Sequence, residues 1–357
     1  MDGERAMNDP AIRDALNALA EGGNLTSDLA RDAMNAILEG RAEGSQIGAF
    51  LMGLRLKGES TDEIAAFAQA MRDQSVRLRP RLPDGPPWLT DVCGTGGASI
   101  KTFNVSTMAM FVVAGAGVPV AKHGNRGVTS PSGSADLIEA LGIPLDAPPE
   151  TVESCIETHG TGFLFAPSFH PAMRHAAPVR RALGLRTVFN LLGPLTNPAR
   201  AQAHLMGVFN PALVEVYPQV LRALGIRRAL VVHGVDGLDE MSTVGPTHVG
   251  ELDEGEIRHY TLEPSALGLQ RATAEDIVGF PAHEGATLTR QLLGGQRRGA
   301  RYEMLVLNAG AAIFAGGGAD SLEDGLGKAQ ASIASGAALD ALERFATAMN
   351  GAGHGRA

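Results

Sequence analysis

Between Arg79 and Pro87 the chain reads Arg-Pro-Arg-Leu-Pro-Asp-Gly-Pro-Pro, and its four prolines split the 357 residues into two parts that fold by different rules. Proline lacks a backbone N–H and disfavours helical geometry in the residue before it, so no helix runs through this stretch. On its N-terminal side the apolar spacing is helical. Leu29, Ala33 and Ile37 share a face closed by Gly40, and Ile47, Phe50, Leu51 and Leu54 recur at i, i+3, i+4 and i+7 before Gly58. Ser60-Thr61-Asp62-Glu63 forms a capping box, serine and glutamate satisfying free N–H groups reciprocally, ahead of the apolar face Ile64, Phe67 and Met71.

After Trp88 the period changes. Short β-type runs at Val118 to Ala121, Gly162 to Ala166, Leu205 to Phe209 and Ala229 to His233 alternate with helical stretches, which predicts a largely parallel, covered sheet. Met108 to Ala121 reads as a buried helix followed by a strand, and Thr247 to Tyr260 as a hairpin turning near Asp253-Glu254-Gly255. Helices are expected from Glu303 onward. The predicted fold class is therefore α/β, with a small N-terminal helical domain and a larger α/β domain on a mostly parallel central sheet. The domains are expected over 1–82, joined by helices from about 170–200, and over 83–350, with a flexible tail at 351–357.

A formal charge of -9 opposes a general nucleic-acid surface, since non-specific phosphate binding needs a broad basic field. Anionic ligands must then be held by local groups. Cys93 and Cys155 lack metal-type spacing, and Met1 to Asp9 is polar and acidic, unlike a signal peptide. The longest apolar run, Met108 to Ala121, is too short to span a bilayer. A soluble cytoplasmic enzyme without membrane or nucleic-acid partners is the expectation.

Four stretches concentrate chemistry. Asp91-Val-Cys-Gly94-Thr95-Gly96-Gly97, followed by Thr102, Asn104, Ser106 and Thr107 ahead of an apolar helix, lets backbone N–H groups approach an anion at the positive helix end. A tight structural turn explains the same glycines, and the spacing is neither Walker nor Rossmann. Lys122-His123-Gly124-Asn125-Arg126 and Ser130-Pro-Ser132-Gly133-Ser134-Ala-Asp136 follow a strand, placing two cations and three hydroxyls where open α/β sheets bind ligands. Asp239-Glu240 after another strand offers hard oxygens suited to Mg²⁺, or two ordinary surface acids. In the fourth stretch His170 and Arg180 precede Asn190-Leu-Leu-Gly-Pro194-Leu-Thr-Asn197-Pro198, and Arg180 can grip a carboxylate in a bidentate fork.

Taken together these stretches resemble the anthranilate phosphoribosyltransferase family, from about Leu25 to Phe345, on the signatures Lys122 to Arg126, Ser132 to Asp136 and Asn190 to Pro198. The resemblance implies a fold shared with pyrimidine nucleoside phosphorylases, a homodimer through the helical domain, and transfer of phosphoribosyl from phosphoribosyl pyrophosphate to anthranilate with Mg²⁺. It implies that Gly94, Gly97, Thr102, Asn104, Ser106, Thr107, Lys122, Ser130 and Ser134 bind the donor. Ser106, Asp239 and Glu240 would hold metal, and His123, Asn125, His170 and Arg180 would face anthranilate, with His123, Asn125 and Arg180 catalytic. Two positions depart from the pattern: Ala98 stands where the family usually has aspartate, and Met173 where an aromatic residue is common. The rival expectations are a nucleoside phosphorylase of the same fold and a non-catalytic nucleic-acid-binding relative.

Overall fold

A computed structural model describes residues 9–127 and 131–353. Four helices open it: α1 (Pro10–Ala20), α2 (Ser27–Leu38), α3 (Gly44–Lys57) and α4 (Thr61–Asp73). Gly40 and Gly58 follow α2 and α3 with φ of 74° and 86°, a region that costs glycine nothing. The capping box forms, because Ser60 Oγ accepts from Glu63 N–H while Glu63 Oε2 accepts from Ser60 N–H. Burial would raise the Glu63 carboxyl, yet Lys57 and the N–H groups of Ser60 and Leu25 hold it below its ordinary value. Phe50 of α3 meets Phe67 of α4 edge to face at 5.7 Å, a contact worth about 0.5–1.5 kcal/mol beyond area burial.

Seven strands form one sheet: β1 (Thr90–Gly94), β2 (Val120–Gly124), β3 (Thr161–Phe165), β4 (Ala203–Gly207), β5 (Arg228–Gly234), β6 (Thr247–Asp253) and β7 (Glu256–Leu262). The order is β3-β2-β1-β4-β5-β6-β7, parallel from β3 to β5, with β6 antiparallel to β5 and β7 antiparallel to β6. Strand order reverses between β1 and β4, where Gly94 pairs with Gly207, and that switch point is where such sheets open a ligand crevice. Alternate residues of β4 and β5 face opposite cores. Leu205, Leu230 and Val232 join α5 (Val105–Gly115) and the C-terminal helices, whereas Met206, Ala229 and Val231 join α2, α3 and α4. Ala176, Val188, Phe189 and Leu192 pack in that second cluster, so the 170–200 segment shares apolar contacts with the helical module.

Two sequence expectations change in detail. Asp91-Val-Cys-Gly belongs to a central strand and not only to a loop, a role masked by a carboxylate in an otherwise apolar position. Asp91 is buried with Oδ1 accepting from His123 N–H and Oδ2 from Asn197 Nδ2, which makes it tolerable there. Residues 351–353, expected in a flexible tail, continue the helix Ala337–Gly353, and 354–357 lie outside the described residues. No helix among the described residues is long and apolar enough to cross a membrane.

Candidate active site

The ends of β1, β2, β4 and β5 and the start of α5 converge on one crevice. Lys122, buried in β2, donates from Nζ to the Val92 carbonyl and to Ser106 Oγ at 3.2 Å, tying β2 to β1 and α5. A Cβ on Gly94 would lie 3.3 Å from Asp239 Oδ2, and the Gly96 N–H is near enough to draw the Asp239 carboxyl down against its burial. The glycine loop, the lysine and the acidic pair are thus one constellation. Thr107 Oγ1, buried in the first turn of α5, has no hydrogen-bond partner among the described residues.

Asp239 and Glu240 are partly exposed yet enclosed by protein on most sides. Burial raises the Asp239 carboxyl, and burial together with the neighbouring Asp239 charge pushes Glu240 up to about 8. Two hard carboxylates destabilised in this way suit a small divalent cation shared with a phosphorylated ligand. A second group of possible ligands, Asp91, Cys93 and His204, is fully buried. It differs in kind: the Asp91 oxygens are already hydrogen-bonded, and Lys122 and Arg72 both act on its charge.

On the other side of Lys122 the His123 and His170 rings lie 5.1 Å apart. Burial, then the neighbouring His170, depress His123 to about 3; burial depresses His170 to about 4, so both rings are neutral near pH 7. His123 Nδ1 sits 3.1 Å from the Gly193 carbonyl and must donate to it, which leaves the Nε2 lone pair free. Nε2 of both histidines is buried without a partner among the described residues. Arg180 is half-buried on helix Ala177–Leu183, its guanidinium 5.1 Å over Phe189, with no carboxylate at ion-pair distance among the described residues.

Other residues singled out in the sequence take different places. Arg126 is not a free phosphate-binding cation: it pairs with Asp136 and Glu139 and lies over Phe165. Asp136 Oδ2 also accepts from Gly127 and Gly133 N–H, while Ser130 lies outside the described residues. Ser134 Oγ and the Asn125 backbone hold each other at 3.0 and 3.1 Å, while Asn125 Oδ1 accepts from Arg126 N–H. Asn104 Nδ2 donates to the Ser132 carbonyl, and Thr102 forms an isolated antiparallel bridge with Val278. Ala98 is buried and brings no carboxylate to the loop. Sequence reasoning gave no role to Asn197, whose Nδ2 bonds both Asp91 and Ala121, nor to Arg186, whose Nη2 donates to the Gly97 carbonyl at 2.9 Å.

The helical module and the mostly parallel-sheet domain are together those of a glycosyltransferase. Residues 13–75 match the helical bundle domain of the glycosyl transferase family, and residues 87–339 match its α/β domain. Anthranilate phosphoribosyltransferase of Rubrobacter xylanophilus is 49% identical over 334 residues, 94% of this chain and 96% of that protein. The enzyme of the same name from Symbiobacterium thermophilum is 50% identical over 330 residues, 92% and 95% of the two chains. Among solved structures, anthranilate phosphoribosyltransferase of Thermus thermophilus superposes with a TM-score of 0.89 at 45% identity, covering 94% of this chain and 99% of that one. The Saccharomyces cerevisiae enzyme in complex with PRPP and Mg gives 0.86 at 29% identity, with 95% and 98% covered. The chain belongs to the anthranilate phosphoribosyltransferase family.

Proposed function

We propose that this chain transfers the phosphoribosyl group of phosphoribosyl pyrophosphate to the amine of anthranilate, releasing pyrophosphate, with the two half-sites meeting at Lys122-His123. The observation that carries this reading is the change of chemistry at that dipeptide. On the Lys122 side stand a cation, a helix start and the glycine loop, which suit a polyanion. On the His123 side stand two neutral rings with free Nε2 atoms.

Gly94, Gly97, Thr102, Asn104, Ser106, Thr107, Lys122, Ser130 and Ser134 form the donor side of this assignment. Asp239, Glu240 and Ser106 would hold Mg²⁺, which when bound neutralises negative charge on the pyrophosphate. As the bond from ribose C1 to the pyrophosphate oxygen lengthens, positive charge grows on the ribose and negative charge on the leaving group. Lys122 and the loop N–H groups stabilise the latter. The amine nitrogen forms the new bond to C1 from the opposite face as the C1–oxygen bond breaks, and its proton passes to solvent. An aromatic amine is already unprotonated at neutral pH, so the site must position it more than activate it. His123 Nε2 accepts an N–H of the amine and orients its lone pair; with its basicity so depressed, it does not keep a proton. Arg180 receives the carboxylate, and Asn125 and His170 bound the same pocket.

We also read the protein as a cytoplasmic homodimer joined through α1 and α3. Leu16, Leu19, Ala49, Gly53 and Leu56 line an open groove between these helices, and Leu56 is 81% exposed. The enzymatic reading is tested by incubating the protein with phosphoribosyl pyrophosphate, Mg²⁺ and anthranilate. Loss of anthranilate fluorescence is expected, and folded protein without turnover would overturn it.

A further inference from the structure

Arg186 lies in the turn after helix Ala177–Leu183, two residues beyond Gly184, and makes three connections that no local motif announces. Its Nη2 donates to the Gly97 carbonyl at 2.9 Å, its guanidinium lies 4.3 Å over the Phe209 ring, and its own carbonyl accepts from Arg55 Nη1 of α3 at 2.8 Å. Phe209 is itself tied back to the loop, because its N–H donates to Thr95 Oγ1 at 3.0 Å and Thr95 N–H donates to the Gly207 carbonyl at 2.9 Å. Loop, strand end, aromatic ring and guanidinium therefore close a circuit. Gly97 has a φ of 86°, and a Cβ there would overlap the guanidinium, so the contact requires glycine for both reasons.

The consequence follows from peptide planarity. Holding the Gly97 carbonyl toward Arg186 fixes the next N–H, that of Ala98, on the opposite side of the same plane. A loop of glycines has no side chains to set that orientation, and its entropy makes the N–H array expensive to organise at each binding event. Arg186 performs the ordering from outside the loop, and Arg55 anchors Arg186 in the helical module.

We propose that Arg186 is a positioning residue that presets the glycine loop for the phosphorylated donor and links its order to the helical module through Arg55. The assignment rests on reading that loop as the donor site. It predicts that Arg186→Ala raises the KM for phosphoribosyl pyrophosphate on the order of tenfold, the worth of one charge-assisted hydrogen bond, while the anthranilate KM changes by less than about twofold. Arg186→Lys, which keeps a donor but loses the stacked plane, recovers part of the effect. Arg55→Ala moves the donor KM in the same direction, and the double variant is no worse than Arg186→Ala, since both act through one connection.

Hydrogen exchange on the substrate-free protein gives a second readout that needs no turnover. Amides of residues 95–99 exchange faster in Arg186→Ala than in the parent, with α5 unchanged. A donor KM unaltered in Arg186→Ala, a shift of both KM values together, or unchanged loop exchange would each overturn the proposal. A parent protein without turnover would instead remove the transferase reading, and the exchange comparison would still decide whether Arg186 orders the loop.

Discussion

The Cα of Gly207, the last residue of β4, lies against the backbone carbonyl of Asp239 so closely that any Cβ at position 207 would overlap it. Asp239 reaches the crevice only because β4 ends without a side chain. This is a packing constraint on a chemical site, and it separates the role of glycine here from turn geometry. Gly207→Ala is therefore expected to displace Asp239 while leaving the sheet paired. Turnover should fall at least about tenfold with a higher Mg²⁺ requirement, a shift of about 1.4 kcal/mol or more. Steady-state rates across a Mg²⁺ titration, with circular dichroism as the fold control, check this; an unchanged titration midpoint would refute it.

The acidic pair gives a prediction with a defined sign. Glu240 is raised from 4.5 to about 8, so between these values the folded protein binds the proton that the unfolded chain has released. Without metal, stability therefore falls as pH rises through that window. Glu240→Gln should be more stable than the parent at pH 8 in chelator by about 1–2 kcal/mol, part of the full shift because the side chain opens to solvent. Added Mg²⁺ should then stabilise the parent but not the Asp239→Asn, Glu240→Gln double variant. Urea unfolding with and without Mg²⁺ reads both effects, and equal metal stabilisation in parent and double variant would place the cation elsewhere.

Lys122 is buried, so its replacement must keep volume to be informative. Lys122→Met retains the stem and removes the charge that contacts Val92 and Ser106. Donor affinity should drop roughly ten- to a hundredfold, the range of a hydrogen bond to a charged group, with anthranilate affinity much less affected. Calorimetry that finds the same donor affinity in both proteins would dismiss this assignment.

What the sequence disclosed follows the span of each interaction. The Ser60 to Glu63 capping box was readable because its hydrogen bonds close over three residues, and the helical faces of α2 to α4 were readable because their period is local. The pairing of Asp91 with Asn197 spans 106 residues, and that of Arg186 with Gly97 spans 89, so neither leaves a spacing to recognise. Asp91 also interrupts the apolar run that would have marked its strand. Arg126 shows the opposite error: its cation counted toward a phosphate site until Asp136 and Glu139, on the following helix, neutralised it. The glycine loop, Lys122 and the acidic pair were visible as separate motifs, while their convergence belongs to the β1–β4 switch point.

His204 provides a test of buried neutral histidine. Burial, with Arg72 adding to it, depresses this fully buried ring from 6.5 to about 3, so the unfolded chain takes up a proton that the folded one refuses. Its contribution is fully present above pH 6.5 and is lost as pH falls toward 3, at most about 1.4 kcal/mol per pH unit. His204→Gln should flatten the decline in unfolding free energy between about pH 6 and 4 relative to the parent. Parallel slopes in urea unfolding at several pH values would show that the ring takes no part.

Arg180 separates acceptor from donor recognition. Its guanidinium is half-buried over Phe189, and burial lowers its pKa without a carboxylate at ion-pair distance among the described residues. Holding a cation in such a position costs stability unless a ligand supplies the missing charge. An anthranilate carboxylate would do so through two parallel hydrogen bonds, a geometry that lysine cannot reproduce. Arg180→Ala should raise the anthranilate KM by about one to two orders of magnitude and leave the donor KM nearly unchanged. Arg180→Lys should recover little of the loss, because the fork and its stacking are gone. The helix should tolerate alanine well, and relief of the unpaired charge should leave ligand-free stability equal to or above that of the parent. Kinetics with each substrate varied in turn, together with unfolding of the free protein, measure both consequences. A variant that loses donor affinity and keeps anthranilate affinity would reverse the assignment of the two half-sites.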